Sequence, residues 1–171
     1  MIEPQNWIAR AWSLDLPVTM FPNVLERVRG TPARAARLVD GVSAAALTAR
    51  IGTSWSAQEH IAHLDDLHDL DEKRLAEYLA AADVLTPADM TNSRTESARH
   101  NDASIAEILD RFDRHRADFA AKLEALSEET VATSCLHIRL GRRLRLVDWV
   151  HFIAEHDDHH LVRARRALAP V

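Results

Sequence analysis

Cysteine is nearly missing from this chain: Cys135 is the only one among 171 residues. No internal disulfide can form, which fits a reducing compartment, and Cys135 itself reads as a loop or partly buried residue. Glycine and proline are scarce, four and six residues, and alternating β-branched runs are missing, so a sheet is not expected and packed helices are. Aromatic residues make up only 5%, which leaves Leu, Ala, Val and Ile to fill the core. Lysine is confined to Lys73 and Lys122, and no basic stripe offsets a net charge of −5, so a nucleic-acid partner has no electrostatic footprint. No apolar run is long enough to span a bilayer, and no basic region followed by an apolar one opens the chain. A cytoplasmic location with no membrane partner is the expectation.

What is present is 47% hydrophobic and 27% charged residues, in a length that suits one domain, taken as residues 1–171. After an irregular opening with Trp7 and Trp12, apolar residues recur at helical spacing from about Pro17 to Arg29. Gly30 is expected to end that helix, and Thr31-Pro32 to restart a short one ending near Gly41. Leu47 to Trp55 reads as a linker. Ser56-Ala57-Gln58-Glu59 is a capping box, and the helix it opens is predicted to run to about Ala82, with Ile61, Leu64, Leu67, Leu75 and Leu79 on its apolar side.

The polar stretch 83–101 lacks an apolar period and reads as a solvated connection carrying Arg94, Arg99 and His100. Bundle helices are usually joined by roughly 2–8 residues. This longer stretch can travel the length of a neighbouring helix, so helices two and three are expected to run parallel. A third helix is predicted from about Ala103 to Leu126, with Ile105, Ile108, Leu109, Phe112, Phe119, Leu123 and Leu126 buried and a solvated charged face opposite. A connection turning at Gly141 leads to a fourth helix, about Leu146 to Leu168. The expected fold is all-α, a four-helix bundle with a long crossover between helices 2 and 3.

Chemistry gathers on the fourth helix, in DWVHFIAEHDDHH. His156 and His160 are four residues apart, close to one turn, so both imidazoles leave one face and can reach one ion. Ten histidines make a chance pair common, so the pair alone does not define a site. A third candidate, His63, lies in WSAQEHIAHL on a helix expected to face the same core. Three imidazoles leave a tetrahedral ion one open position, the arrangement of a catalytic centre. Such an ion can acidify water or favour the thiolate of a bound thiol, and the ligands do not choose between the two. Glu59, one turn before His63, is a candidate for orienting that ring or handling protons, and Asp157 for a place behind the ligands. The zincin pattern does not apply, because no glutamate follows His156.

WSAQEHIAHL, the long second connection and RLVDWVHFIAEHDDHHLVRAR together resemble the DinB-like superfamily, over essentially the whole length. That superfamily includes YfiT-type metal-dependent hydrolases and bacillithiol- or mycothiol-dependent S-transferases. The resemblance implies a four-helix bundle, often a homodimer, with a divalent metal, zinc or nickel, on His63, His156 and His160; His159 is not expected to bind. Two functions follow as expectations: a metal-dependent transferase or hydrolase acting on a small molecule, or a non-catalytic stress-response or binding protein with a structural or vestigial metal.

Overall fold

Helices form where the apolar period predicts them, and the computed structural model, which describes residues 2–169, shows where that period is interrupted. Helix α1 (Phe21–Arg29) passes through Gly30 into α2 (Thr31–Val39). Pro22 and Pro32 each sit in a first turn, where the missing N–H is no loss. Gly30 keeps the hydrogen-bond ladder running, donating to Glu26 and accepting from Arg34, so the two make one bundle helix.

The linker expected from Leu47 overlaps a short helix, α3 (Ala44–Thr48), capped by the Ser43 side chain. The capping box at Ser56 and Glu59 forms as predicted and opens α4 (Ala57–Asp66). The second helix is not continuous: Leu67 divides it from α5 (His68–Leu79), and Leu79, expected on the apolar side, is exposed.

The crossover is not a plain solvated connection. It contains α6 (Ser93–Ser97) and a 3-10 turn at His100–Asp102, and it buries Thr95 and His100. Helix α7 (Ile105–Glu124) follows, then α8 (Glu128–Ala132) and, against the expectation of no sheet, a two-stranded antiparallel hairpin. Strand β1 (Ser134–His137) pairs with β2 (Arg142–Arg145), with Cys135 opposite Leu144 and His137 opposite Arg142. Four-residue strands were too short to leave an alternating pattern. Gly141 closes the tip at φ +62°, a left-handed conformation that glycine adopts without a Cβ penalty. Cys135 is fully buried there. Helix α9 (Leu146–Ala167) completes the chain.

Side-chain pairs set the directions. Along α4–α5 and α7, Gln58 meets Ala103, His68 stacks on His115 and Glu72 meets Lys122, so these helices run parallel, as a crossover requires. Along α1–α2 and α9, Arg27 meets Glu155 and Arg34 meets Asp158, again parallel. His60 against His160 and Tyr78 against Trp149 make α4–α5 antiparallel to α9.

Two apolar clusters fill the bundle. One surrounds Trp149, Tyr78 and Phe119; the other surrounds Ile61, Phe112 and Leu64. Between them each bundle helix carries a buried polar residue: Thr31, Asp71, Arg116 and Asp157. Arg116, on the third helix, belongs to this layer although its neighbours form the charged solvated face.

Phe112 packs fully in the second cluster and does not line the main cavity. Phe112→Ala is expected to lower unfolding stability by about 3–5 kcal/mol, read from the urea midpoint at unchanged slope.

Candidate metal centre

Two helices deliver the three predicted imidazoles to one point. His63 projects from α4 and His156 and His160 from α9, and one ring nitrogen of each lies within 4.8 Å of the others. His156 Nε2 and His160 Nε2 face each other at 3.1 Å. Two imidazole nitrogens on a tetrahedral ion at 2.0–2.1 Å stand about 3.3 Å apart, so the pair already has the spacing that an ion between them demands. His159 stands outside the cluster, with its ring centroid 5.2 Å from that of His160.

Burial keeps these rings neutral. Desolvation pushes His63 down to about 4 and holds His156 and His160 well below the ordinary imidazole range, with neighbouring imidazoles adding to the effect on the last two. Neutral imidazole is the form that binds metal.

The crossover fixes the tautomer of His63. Burial pushes the Asp66 carboxyl up, but hydrogen bonds from His100 and Thr95 outweigh it and hold Asp66 below the usual carboxylate range. An ionised carboxylate only accepts, so Thr95 Oγ1 donates to Asp66 at 2.7 Å and must itself accept from His63 Nδ1–H at 2.8 Å. The Nε2 lone pair of His63 is thereby left free. His100 Nε2 lies 2.8 Å from the same carboxylate oxygen of Asp66, and Gln58 donates to the His100 carbonyl, anchoring the crossover to α4. On the other side, His160 Nδ1 meets His60 Nδ1 at 3.1 Å. A cation held by both Nε2 lone pairs would select the tautomer in which His160 donates to His60.

The two expected helpers are placed differently. The Glu59 carboxylate accepts from the Ser56 backbone N–H at 2.8 Å and from Arg50. Asp157 is 1% exposed and accepts from Thr31 Oγ1 at 2.7 Å and from Arg116 Nη2 at 3.2 Å. Burial pushes its carboxyl up, while Arg116 and Thr31 pull the other way. Neither carboxylate hydrogen-bonds to any of the three imidazoles among the described residues.

The triad lines a cavity of about 730 Å³. Trp55 lies 4.9 Å from His63 and stacks on His160 at 5.9 Å. Trp7 lies edge-on to His156 at 5.0 Å, so the N-terminal segment helps to wall the site. Sequence reasoning did not find His60, Thr95, Asp66, His137, Arg139 or Trp7. Arg116 could have been found: it stands four residues after Phe112 and three before Phe119, on the apolar stripe. Thr95 left no such signal, because its partner is 32 residues away in an aperiodic segment.

In metal-free protein the depressed imidazoles set a pH dependence. Their folded pKa values lie below the unfolded value, so the unfolded chain takes up protons that the folded chain refuses as pH falls from about 6.5 towards 4. His60 and His137 are also pushed to about 4, by burial first, with Arg163 among the further causes at His60 and Arg74 at His137. Asp71, pushed up to about 7 by burial, and Asp157, also raised by burial, work in the opposite sense as two carboxyls against five rings. The urea midpoint of EDTA-treated protein is therefore expected to fall as pH is lowered from about 7 to about 5, and a flat midpoint would show that these rings are protonated in the folded state.

The comparisons with known proteins agree with this architecture. YfiT from Bacillus subtilis, described as a probable metal-dependent hydrolase with an unusual four-helix bundle topology, superposes with a TM-score of 0.78 at 14% identity, covering 92% of this chain and 91% of its own. A mycothiol-dependent maleylpyruvate isomerase superposes with a TM-score of 0.66 at 15% identity, covering 86% of this chain but only 60% of its own, less than two thirds of that protein's length. At such identities the likeness carries the fold alone. No curated protein matches the sequence. A model of the DinB superfamily matches residues 27–162, a span that includes all three converging histidines and every bundle helix except the start of the first and the end of the last, and the chain belongs to that superfamily.

Proposed function

We propose that this protein is a divalent-metal-dependent enzyme in which His63, His156 and His160 hold the ion and the adjoining cavity takes a small-molecule substrate. The observation that carries the reading is the convergence of three neutral imidazoles from two helices on the wall of a cavity of about 730 Å³. All-imidazole donors suit zinc or nickel. When bound, the ion supplies Lewis acidity, lowering the pKa of a thiol or of water and so favouring the nucleophilic form.

The chain's own residues do the rest. Thr95, locked to Asp66, keeps the Nε2 lone pair of His63 turned to the site, and His60 does the corresponding work for His160. Trp7 and Trp55 exclude water and lower the local dielectric. In this reading Glu59 anchors the start of α4, and Asp157 acts through its pair with Arg116 and not as a proton carrier.

The isomerase that shares the fold is mycothiol-dependent by name, which supports a low-molecular-weight thiol, mycothiol or bacillithiol, as co-substrate; the hydrolase description of YfiT supports water. A homodimer located in the cytoplasm completes the proposal. No helix among the described residues is long and apolar enough to cross a membrane.

Purified protein is expected to bind one divalent ion per chain, with affinity reduced at least about 100-fold in His156→Ala and about 10–100-fold in Thr95→Val, read by metal titration. Unchanged metal content in His156→Ala would remove that residue from the site. Transfer of mycothiol or bacillithiol to a model electrophile, or hydrolysis of an ester, should be abolished by EDTA and restored by zinc or nickel. A metal-loaded protein inert towards all of these would instead be the non-catalytic binding protein.

A further inference from the structure

One wall of the cavity carries a guanidinium group, that of Arg139, with no counter-charge among the described residues. Arg139, in the turn between β1 and β2, lines the cavity with its guanidinium 5.4 Å from the ring of Phe152 and 5.9 Å from that of Trp7. It has no acidic partner and no side-chain hydrogen bond among the described residues, and its Nη2 is buried without a partner. His137, just before the turn, is 4% exposed, lines the same cavity and has no partner for either ring nitrogen. Arg74, from α5, completes the cluster: its Nε donates to the Thr86 carbonyl at 2.9 Å, and its side chain forms no direct ion pair among the described residues, although Asp71 and Glu77 lie in its field.

The nearby carboxylates act on Arg116 and Arg74 and leave Arg139 without a counter-charge among the described residues. Asp157 is paired with Arg116. Asp71 sits in the field of Arg116 and Arg74 without a hydrogen bond to either, and burial pushes it up to about 7, so it is only partly charged near neutrality. Asp71 and Glu77 act on Arg74, and Asp157 on Arg116, but no carboxylate among the described residues forms an ion pair with Arg139. An unpaired guanidinium partly sunk into an aromatic wall loses hydration that a counter-charge joining it would offset.

The geometry points to an anion subsite made by Arg139, Arg74 and His137, which receives the carboxylate of the substrate while the rest of that molecule lies against Phe152 and Trp7 towards His156. A carboxylate is favoured because a planar guanidinium fork receives two coplanar oxygens, and the flanking aromatic rings suit an apolar body attached to them. The neighbouring uncharged imidazole of His137 supplies a further donor from one ring nitrogen. The inference deepens the enzymatic reading by naming the substrate class, and it rests on the cavity being a substrate site, without requiring the metal.

The test uses EDTA-treated full-length protein and tryptophan fluorescence or calorimetry, with 3-phenylpropionate, its neutral analogue 3-phenylpropionamide and inorganic phosphate as probes. The wild type is expected to bind the carboxylate at least about tenfold more tightly than the amide, the worth of one charge-assisted contact. Arg139→Gln should erase that preference and Arg139→Lys should retain part of it, with circular dichroism confirming the fold. The wild-type comparison stands even if a variant does not fold. Equal binding of carboxylate and amide, no saturable carboxylate binding up to about 20 mM, or a preference that survives Arg139→Gln overturns the subsite. Equal competition by phosphate overturns the choice of carboxylate. Because the protein is metal-free in this experiment, a missing metal centre would leave the preference in place, and the two readings fail separately.

Discussion

Arg116 and Asp157 meet in the middle of the bundle, 5% and 1% exposed, and the rest of the interior is arranged around that pair. A buried guanidinium and carboxylate that lose their partner cost about 3–5 kcal/mol, so the helices bearing them, α7 and α9, cannot slide past one another independently. Thr31 adds α2 to the same point by donating to Asp157. The consequence is a core in two pieces, one apolar cluster on either side of a polar layer. A continuous aliphatic core would have closed the space that the cavity occupies.

The crossover does more than connect parallel helices. Two of its buried residues, Thr95 and His100, both bind Asp66. The segment thereby reaches His63 through a single hydroxyl, while Gln58 and Ser56 at the start of α4 tie its far end through the His100 carbonyl and Asn101. Two such anchors tie the connection to α4 although it has little regular structure of its own. Long loops in compact domains are tolerated thermodynamically because closure entropy grows slowly with length, so this role carries a small penalty.

Low dielectric gives the site its character. Desolvation keeps the imidazoles uncharged, favouring cation binding, and the same desolvation makes the unmatched guanidinium of Arg139 a strong attractor for negative charge. The two effects lie on adjoining parts of one cavity, with Phe152 and Trp7 between them and in contact with both Arg139 and the face of α9 that bears His156.

Periodicity and spacing alone were enough for the number of bundle helices, the capping box at Ser56, the crossover and the pairing of His156 with His160, because each depends on residues close in sequence or on chain length. The choice of His63 also came from the sequence, through a helix predicted to face the same core. What only the tertiary structure decided lies in contacts between distant residues: Thr95 on His63, His60 on His160, and the wall formed by Arg139, His137 and Trp7. The hairpin left no pattern because four-residue strands are too short for one, and the break at Leu67 involves no proline or glycine to announce it. Local spacing places side chains on a face of a helix, but which charges are neutralised and which remain open is settled only when the helices pack and water leaves.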